Sequence, residues 1–297
     1  MKRLVLFVLS SMIIGFGNAV AQTESTFEGE STSTVTSMQK MTSAVKTKNI
    51  LAKMILKSVM KKVENNGLYT GTYESTSIVK GNKTKTYMPY NNSYMITEKN
   101  GDKMTVITYY PDIKKGYYTV NDQSAAQQQL ELMRKGEVEK TGETMVILGR
   151  KCDVYKVKYE MKQDTAGTVS TTNLHNEFAI CQDPSLPEAD KEIVPGVKGM
   201  PLKFINNTVS QTTNEMLNFD VQIYIATVVK DIKARKVDDE EVSVPKDIKL
   251  VDADRNPKAM LKIIEEEQKY LKKNNKWVEK KPDEIKIYDN LNEDWEY

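Results

Sequence analysis

Residues 152–181 read CDVYKVKYEMKQDTAGTVSTTNLHNEFAIC, and the alternation within that stretch decides the fold. Tyr155, Val157, Tyr159 and Met161 recur with a period of two, and Lys156, Lys158 and Glu160 stand between them, the pattern of a strand with one buried face. Asp164-Thr165-Ala166-Gly167 is turn chemistry, and Leu174, Phe178 and Ile180 follow it. A turn centred between residues 166 and 167 sets Tyr155 opposite Phe178, Val157 opposite Asn176 and Tyr159 opposite Leu174. The apolar faces of the two strands then coincide, which a hairpin with one buried face requires. The same register sets Cys152 opposite Cys181. In an oxidising compartment that pair predicts a cross-strand disulfide; a slip of one residue would leave two free thiols.

The flanking chain extends the β pattern. Residues 69–79, 85–90, 93–98, 103–110 and 116–120 are rich in Thr, Tyr, Val and Ile, and Gly81-Asn82, Asn91-Asn92, Asn100-Gly101 and Pro111-Asp112 punctuate them as turns. Strands this close together with no helix between them predict an antiparallel meander. Residues 124–135 read as one short helix, after which strands resume at 143–148 and run to about residue 229. Residues 228–244 return to strand character around an acidic turn at 238–241. Asn256-Pro257 is a cap followed by a first-turn proline, and it predicts a helix over 258–273 with Met260, Ile263, Ile264 and Leu271 on one side and a Glu265–Lys269 pair on its surface. The polar tail 280–297 follows.

The other end of the chain reads as an address. Lys2-Arg3, an apolar run over 4–16 and Ala19-Val20-Ala21 before Gln22 form a secretory signal, with cleavage expected between Ala21 and Gln22. The run is too short for a spanning helix, and no later segment offers one. Export to the periplasm is expected, with an extracellular destination as the alternative. The first cysteine is Cys152, so no N-terminal cysteine is available for a lipid anchor. Residues 22–43 are crowded with Ser and Thr and hold few large apolar residues, which predicts a flexible leader. Over 44–63, Ile50, Leu51, Met54, Ile55, Val59 and Val63 recur at helical spacing opposite Lys46, Lys53, Lys57 and Lys61, ending at Asn65-Asn66-Gly67. That helix is expected to pack its apolar face onto the sheet rather than lie on a membrane surface. The domain plan is therefore signal 1–21, leader 22–43, one folded domain over 44–251, and a C-terminal helix and tail over 252–297.

Composition narrows the chemistry. Removing Lys2 and Arg3 from the 43 basic residues balances the 41 acidic ones, so the mature protein exerts no overall pull on nucleic acid. The chain has one histidine, His175, on the strand face opposite the apolar one, where surface residues belong. No nucleophile elbow, zinc-protease motif, phosphate loop or dinucleotide fingerprint occurs. Asp252-Ala253-Asp254-Arg255-Asn256 opens like a calcium loop but continues with Pro257 where such loops need glycine and has Ile263 where they need a carboxylate. Carboxylates such as Glu160, Glu177 and Asp183 could pair in space as in glycosidases, but so could those of any chain with 41 acidic residues. No catalytic residue, metal ligand or cofactor is expected, and the chain is not expected to be an enzyme.

The stretch Thr141-Gly-Glu-Thr-Met-Val-Ile-Leu-Gly149-Arg-Lys-Cys152-Asp-Val-Tyr155 resembles the I-x-G-x-x-C-x-x-Y segment of a periplasmic branch of envelope proteins similar to the LolA/LolB lipoprotein carriers. Lys198-Gly199-Met-Pro201-Leu202 resembles that branch's G-x-P-L strand start, and Val242-Ser-Val244-Pro245 its closing V-P strand. The resemblance spans about residues 68–251 and departs at Phe178-Ala-Ile180, where the family often carries tryptophan. It implies a mainly β (α+β) fold, a curved antiparallel sheet or incomplete β-barrel with helices packed on its concave face. In such a fold Tyr155, Val157, Tyr159, Phe178 and Ile180 would line an apolar cleft able to hold the acyl chain of a lipid or lipoprotein. The alternative is a cleft filled by the protein itself, in a structural or interaction module that docks an envelope protein.

Overall fold

The computed structural model describes residues 27–46, 50, 53–54, 57, 70–122, 136–165, 168–187, 189–190, 192–213, 217–274 and 276. The signal segment with its Ala21–Gln22 cleavage site, the helix expected over 124–135, most of the one expected over 44–63 and the tail 280–297 lie outside the described residues. The protein is mainly β, built on one large, curved, open sheet rather than a closed barrel.

The meander forms as its turn residues dictate. Strands β2 (Gly71–Lys80), β3 (Lys83–Met88), β4 (Ser93–Asn100), β5 (Lys103–Tyr110) and β6 (Lys115–Asp122) pair antiparallel in chain order. Gly81 and Gly101 take the left-handed conformation at two of the turns, where a side chain would be strained. The other two turns are 3-10 turns led by Pro89 and Pro111. Each closes on a left-handed residue, Asn92 or Lys114, whose N–H donates back to the proline carbonyl at 3.3 and 3.2 Å. Asn92 Nδ2 donates to Asp112 Oδ2 at 2.9 Å and ties the two turns together.

A second group of strands is longer. β8 (Arg150–Thr165) and β9 (Thr168–Cys181) form the hairpin in the register the sequence predicts, with Tyr155 opposite Phe178, Val157 opposite Asn176 and Tyr159 opposite Leu174. β7 (Glu137–Ile147) flanks β8, β12 (Met200–Thr213) flanks β9, and β13 (Leu217–Ala234) flanks β12. Between β9 and β12 a separate two-stranded ribbon, β10 (Glu192–Val194) and β11 (Val197–Lys198), is paired only with itself. Gly199-Met200-Pro201-Leu202 does begin a strand. A Cβ on Gly199 would meet the Cys181 carbonyl oxygen at 2.6 Å, so only glycine lets the chain pass.

The strand that joins the two groups is the one composition misassigns. Residues expected to form a flexible leader are β1 (Gly29–Val45), hydrogen-bonded to β2 on one side and to β13 on the other. Ser37 and Thr36 are buried, and Thr36 Oγ1 lies 3.0 Å from Thr72 Oγ1 across the β1–β2 pair. Poverty in large apolar residues misleads here because two backbone ladders and hydroxyl pairs hold the strand, and threonine suits a pleated strand. The full order is β14-β6-β5-β4-β3-β2-β1-β13-β12-β9-β8-β7, where β14 (Lys249–Asp252) adds to β6 in parallel.

Two further expectations need correction. The second strand of the expected 228–244 pair does not form, and the Val242-Ser243-Val244-Pro245 segment is loop. β13 ends at Ala234, and the next residue captures the chain: Arg235 donates to both Glu241 oxygens at 3.0 and 2.8 Å and to Glu30 at 3.2 Å. Val237 and Val242 are buried as anchors of that loop. The helix expected over 44–63 starts too early, since Ala44 and Val45 belong to β1; of its apolar residues Ile50 and Met54 are 77% and 65% exposed, and the other four lie outside the described residues. The C-terminal helix α1 (Pro257–Lys273) begins as predicted, with the Asn256 side chain accepting from the Ala259 N–H. It seats Met260 and Ile263 against Tyr110, Tyr117 and Ala253 at the β6–β14 end of the sheet.

Gly199→Ala should lower stability by about 2 kcal/mol or more in urea unfolding, since both its backbone angle and its space exclude a side chain. A change under about 0.5 kcal/mol would contradict this packing.

Candidate functional site

The apolar face of the β8–β9 hairpin is a closed core. Tyr155, Val157, Phe178 and Ile180 are each 6% exposed or less, and Val194 of the ribbon joins them. Ile193 and Val197 of the ribbon, Val138 of β7 and Phe204 of β12 complete the cluster, with the Phe178 and Phe204 rings 4.9 Å apart. Tyr159, the fifth expected lining residue, is half-buried and outside that cluster. The structure thus brings four of the five cleft residues together and covers them with the protein's own chain.

Further along the same sheet face the chemistry becomes polar. Asn206 Nδ2 donates to Asn176 Oδ1 at 2.8 Å, and Thr208 Oγ1 to Asn206 Oδ1 at 2.9 Å. Thr172 pairs with Ser210 at 2.9 Å and Ser170 with Thr212 at 3.0 Å. The sequence reading did not single out this ladder, although the period-two run of Ser, Thr and Asn on both strands carries it.

The opposite face holds the cysteines. Cys152 and Cys181 are both buried free thiols, one register step beyond the Asp153–Ile180 pair, among Val154, Ala179, Met200 and Leu202. Burial, then the neighbouring Cys181 thiol, pushes the Cys152 thiol up to about 11. The register therefore delivers the expected neighbours; the disulfide itself is not formed in this structure.

Glu160, Glu177 and Asp183 do not converge. Glu160 pairs with Lys162 at 2.7 Å, Glu177 with Lys203 at 2.8 Å and Asp183 with Arg150 at 2.9 Å. Hydrogen bonds from Ser185, then Arg150, hold the Asp183 carboxyl below its ordinary range. His175 lies on the face of these charged residues, as the alternation predicts, and burial and then Lys158 pull its imidazole down. Asp252 and Asp254, the calcium-loop resemblance, accept from the Arg255 and Val120 N–H groups and so fasten the start of α1 to β6. No group of three metal-ligating side chains occurs among the described residues. Beside the ribbon, Gln182, Ala189, Glu192, Gly196 and Lys198 line a cavity of about 430 Å³. The Gly196 N–H donates to Glu192 Oε1 at 2.9 Å within it.

No family model, no curated protein and no solved structure matches this chain.

In the reduced, native protein, Cys152 should react with iodoacetamide at pH 8 at least about 100-fold more slowly than in denaturant, because it is both buried and short of thiolate. Comparable native and denatured rates, read by mass spectrometry, would contradict the packing of this face.

Proposed function

We propose that this chain is an exported, non-enzymatic protein of the cell envelope, working in the periplasm as an interaction module whose apolar sheet face is filled by its own ribbon. The burial of Tyr155, Val157, Phe178 and Ile180 beneath Ile193, Val194 and Val197 carries this reading, since a face already packed offers no vacant acyl site. The signal-like N-terminus supports export. No described helix is long and apolar enough to cross a membrane. The edge strand β7 presents Val146 at 76% exposure and supplies an apolar contact for an envelope protein partner.

One observation favours the lipid-carrier reading implied by the resemblance to LolA/LolB carriers. The β10–β11 ribbon has no hydrogen-bonded pairing to the main sheet, so its displacement would break few backbone bonds. An incoming acyl chain would gain about 0.8 kcal/mol per buried methylene.

Titration of the full mature chain with a fluorescent sixteen-carbon fatty acid separates the readings. The self-filled module predicts no saturable uptake at micromolar probe, and adduct formation with one envelope protein from a photo-crosslinker at position 146. Stoichiometric uptake that Ile180→Asp abolishes would establish the carrier instead. Mature protein should begin at Gln22 by N-terminal sequencing, and retention of residues 1–21 would overturn the export step.

A further inference from the structure

The face that α1 lays on the sheet is not wholly apolar. Met260, Ile263 and Leu271 are buried there, and Glu267, on the same helical face, is 2% exposed. Neither of its carboxylate oxygens has a hydrogen-bond partner among the described residues. The surroundings supply little to hold a charge. The 3-10 turn contributes Asp112, β5 contributes the phenol of Tyr110, and β6 contributes Tyr117 and Lys115. The helix adds Glu266, and Lys276 follows its end. Both of these cations are engaged elsewhere: Lys115 Nζ sits 2.7 Å from Glu266 and Lys276 Nζ 3.3 Å from Asp112. On β14, Asp252 accepts from the Tyr118 hydroxyl at 3.3 Å and pairs with Arg255 at 3.4 Å. An ionised Glu267 would therefore be a buried charge without a hydrogen-bonded partner among the described residues, whereas its acid form is a small neutral group.

We propose that Glu267 is a proton-operated latch: as the carboxylic acid it lets α1 seat on Tyr110 and Tyr117, and loss of the proton frees the helix from that surface. Burial first, then Asp112, raises the carboxyl to about 7 against the opposing pull of Lys276, with Glu266 adding to the rise. A carboxyl raised on docking binds its proton more tightly when docked. The stabilisation is complete below the free-carboxyl value of 4.5 and is lost as pH climbs through about 7. The latch does not depend on the interaction-module reading.

Hydrogen exchange of the full chain at pH 5.5 and 8.0, corrected for intrinsic rates, tests it. Protection of residues 257–273 relative to β4 and β5 should fall at least about ten-fold in the wild type and stay constant in Glu267→Gln. Glu267→Met supplies a second uncharged side chain and should likewise hold the helix at both pH values. Equal protection at the two pH values in the wild type, or the same fall in the wild type and Glu267→Gln, would overturn the latch. Loss of α1 protection at pH 5.5 in both variants would also overturn it, because the carboxyl itself would then be what seats the helix.

Discussion

The two halves of this sheet are joined by hydrogen-bonded pairing through a single strand. β1 shares one ladder with β2, from Gly29 opposite Val79 to Ser37 opposite Gly71, and another with β13, from Gly29 opposite Ala234 to Val45 opposite Leu217. Charged contacts also cross this region, Arg235 to Glu30 at 3.2 Å and Lys80 to Asp239 at 2.8 Å, but they are partly or largely exposed. Exposed pairs of that kind contribute little, because water screens them. A ladder bond contributes about 0.5–1.5 kcal/mol net, and β1 makes a series of them on both sides. The backbone of a Ser/Thr-rich segment, rather than apolar bulk or ion pairing, makes the meander and the long strands one sheet.

That joint fixes what the long-strand half can do. With β13 held in place, β12, β9 and β8 follow in register, and at the Cys152–Cys181 end both faces of the hairpin become interior: one receives the ribbon, the other encloses the two cysteines. The stretch that reads as a greasy, accessible wall is core where Tyr155, Val157, Phe178 and Ile180 meet the ribbon. Beyond it, β9 and β12 exchange apolar residues for hydroxyls and amides that satisfy one another across the two strands, as with Asn176 and Asn206. Glu160, Glu177 and Asp183 sit in three separate ion pairs.

What the sequence makes legible is what local chemistry determines. The meander follows from its glycine and proline turns, the hairpin register from period-two alternation around Asp164–Gly167, and the start of α1 from Asn256 and Pro257. These signals lie within a few residues of their effects. β1 was not legible because its partners are about forty residues away at β2 and two hundred away at β13. The loop after Ala234 was hidden for a related reason: Arg235 reaches across the chain to Glu30, which overrides the alternation of Val242 and Val244. The ribbon over the hairpin is equally non-local, so Tyr155 and Phe178 could be placed on one face without showing what covers them. Glu267 was written in the helical spacing of Met260, Ile263 and Leu271, as a carboxylate on the inward side, and only its burial gives it meaning.

Amide exchange along residues 29–45 tests the central joint most directly. The structure requires amides of this segment to be protected to the same order as those of β13 and to lose protection together with them as denaturant is raised. Exchange of residues 29–45 at the intrinsic, unprotected rate while β13 and β4 stay protected would show that the segment is a leader after all, and that something else unites the sheet.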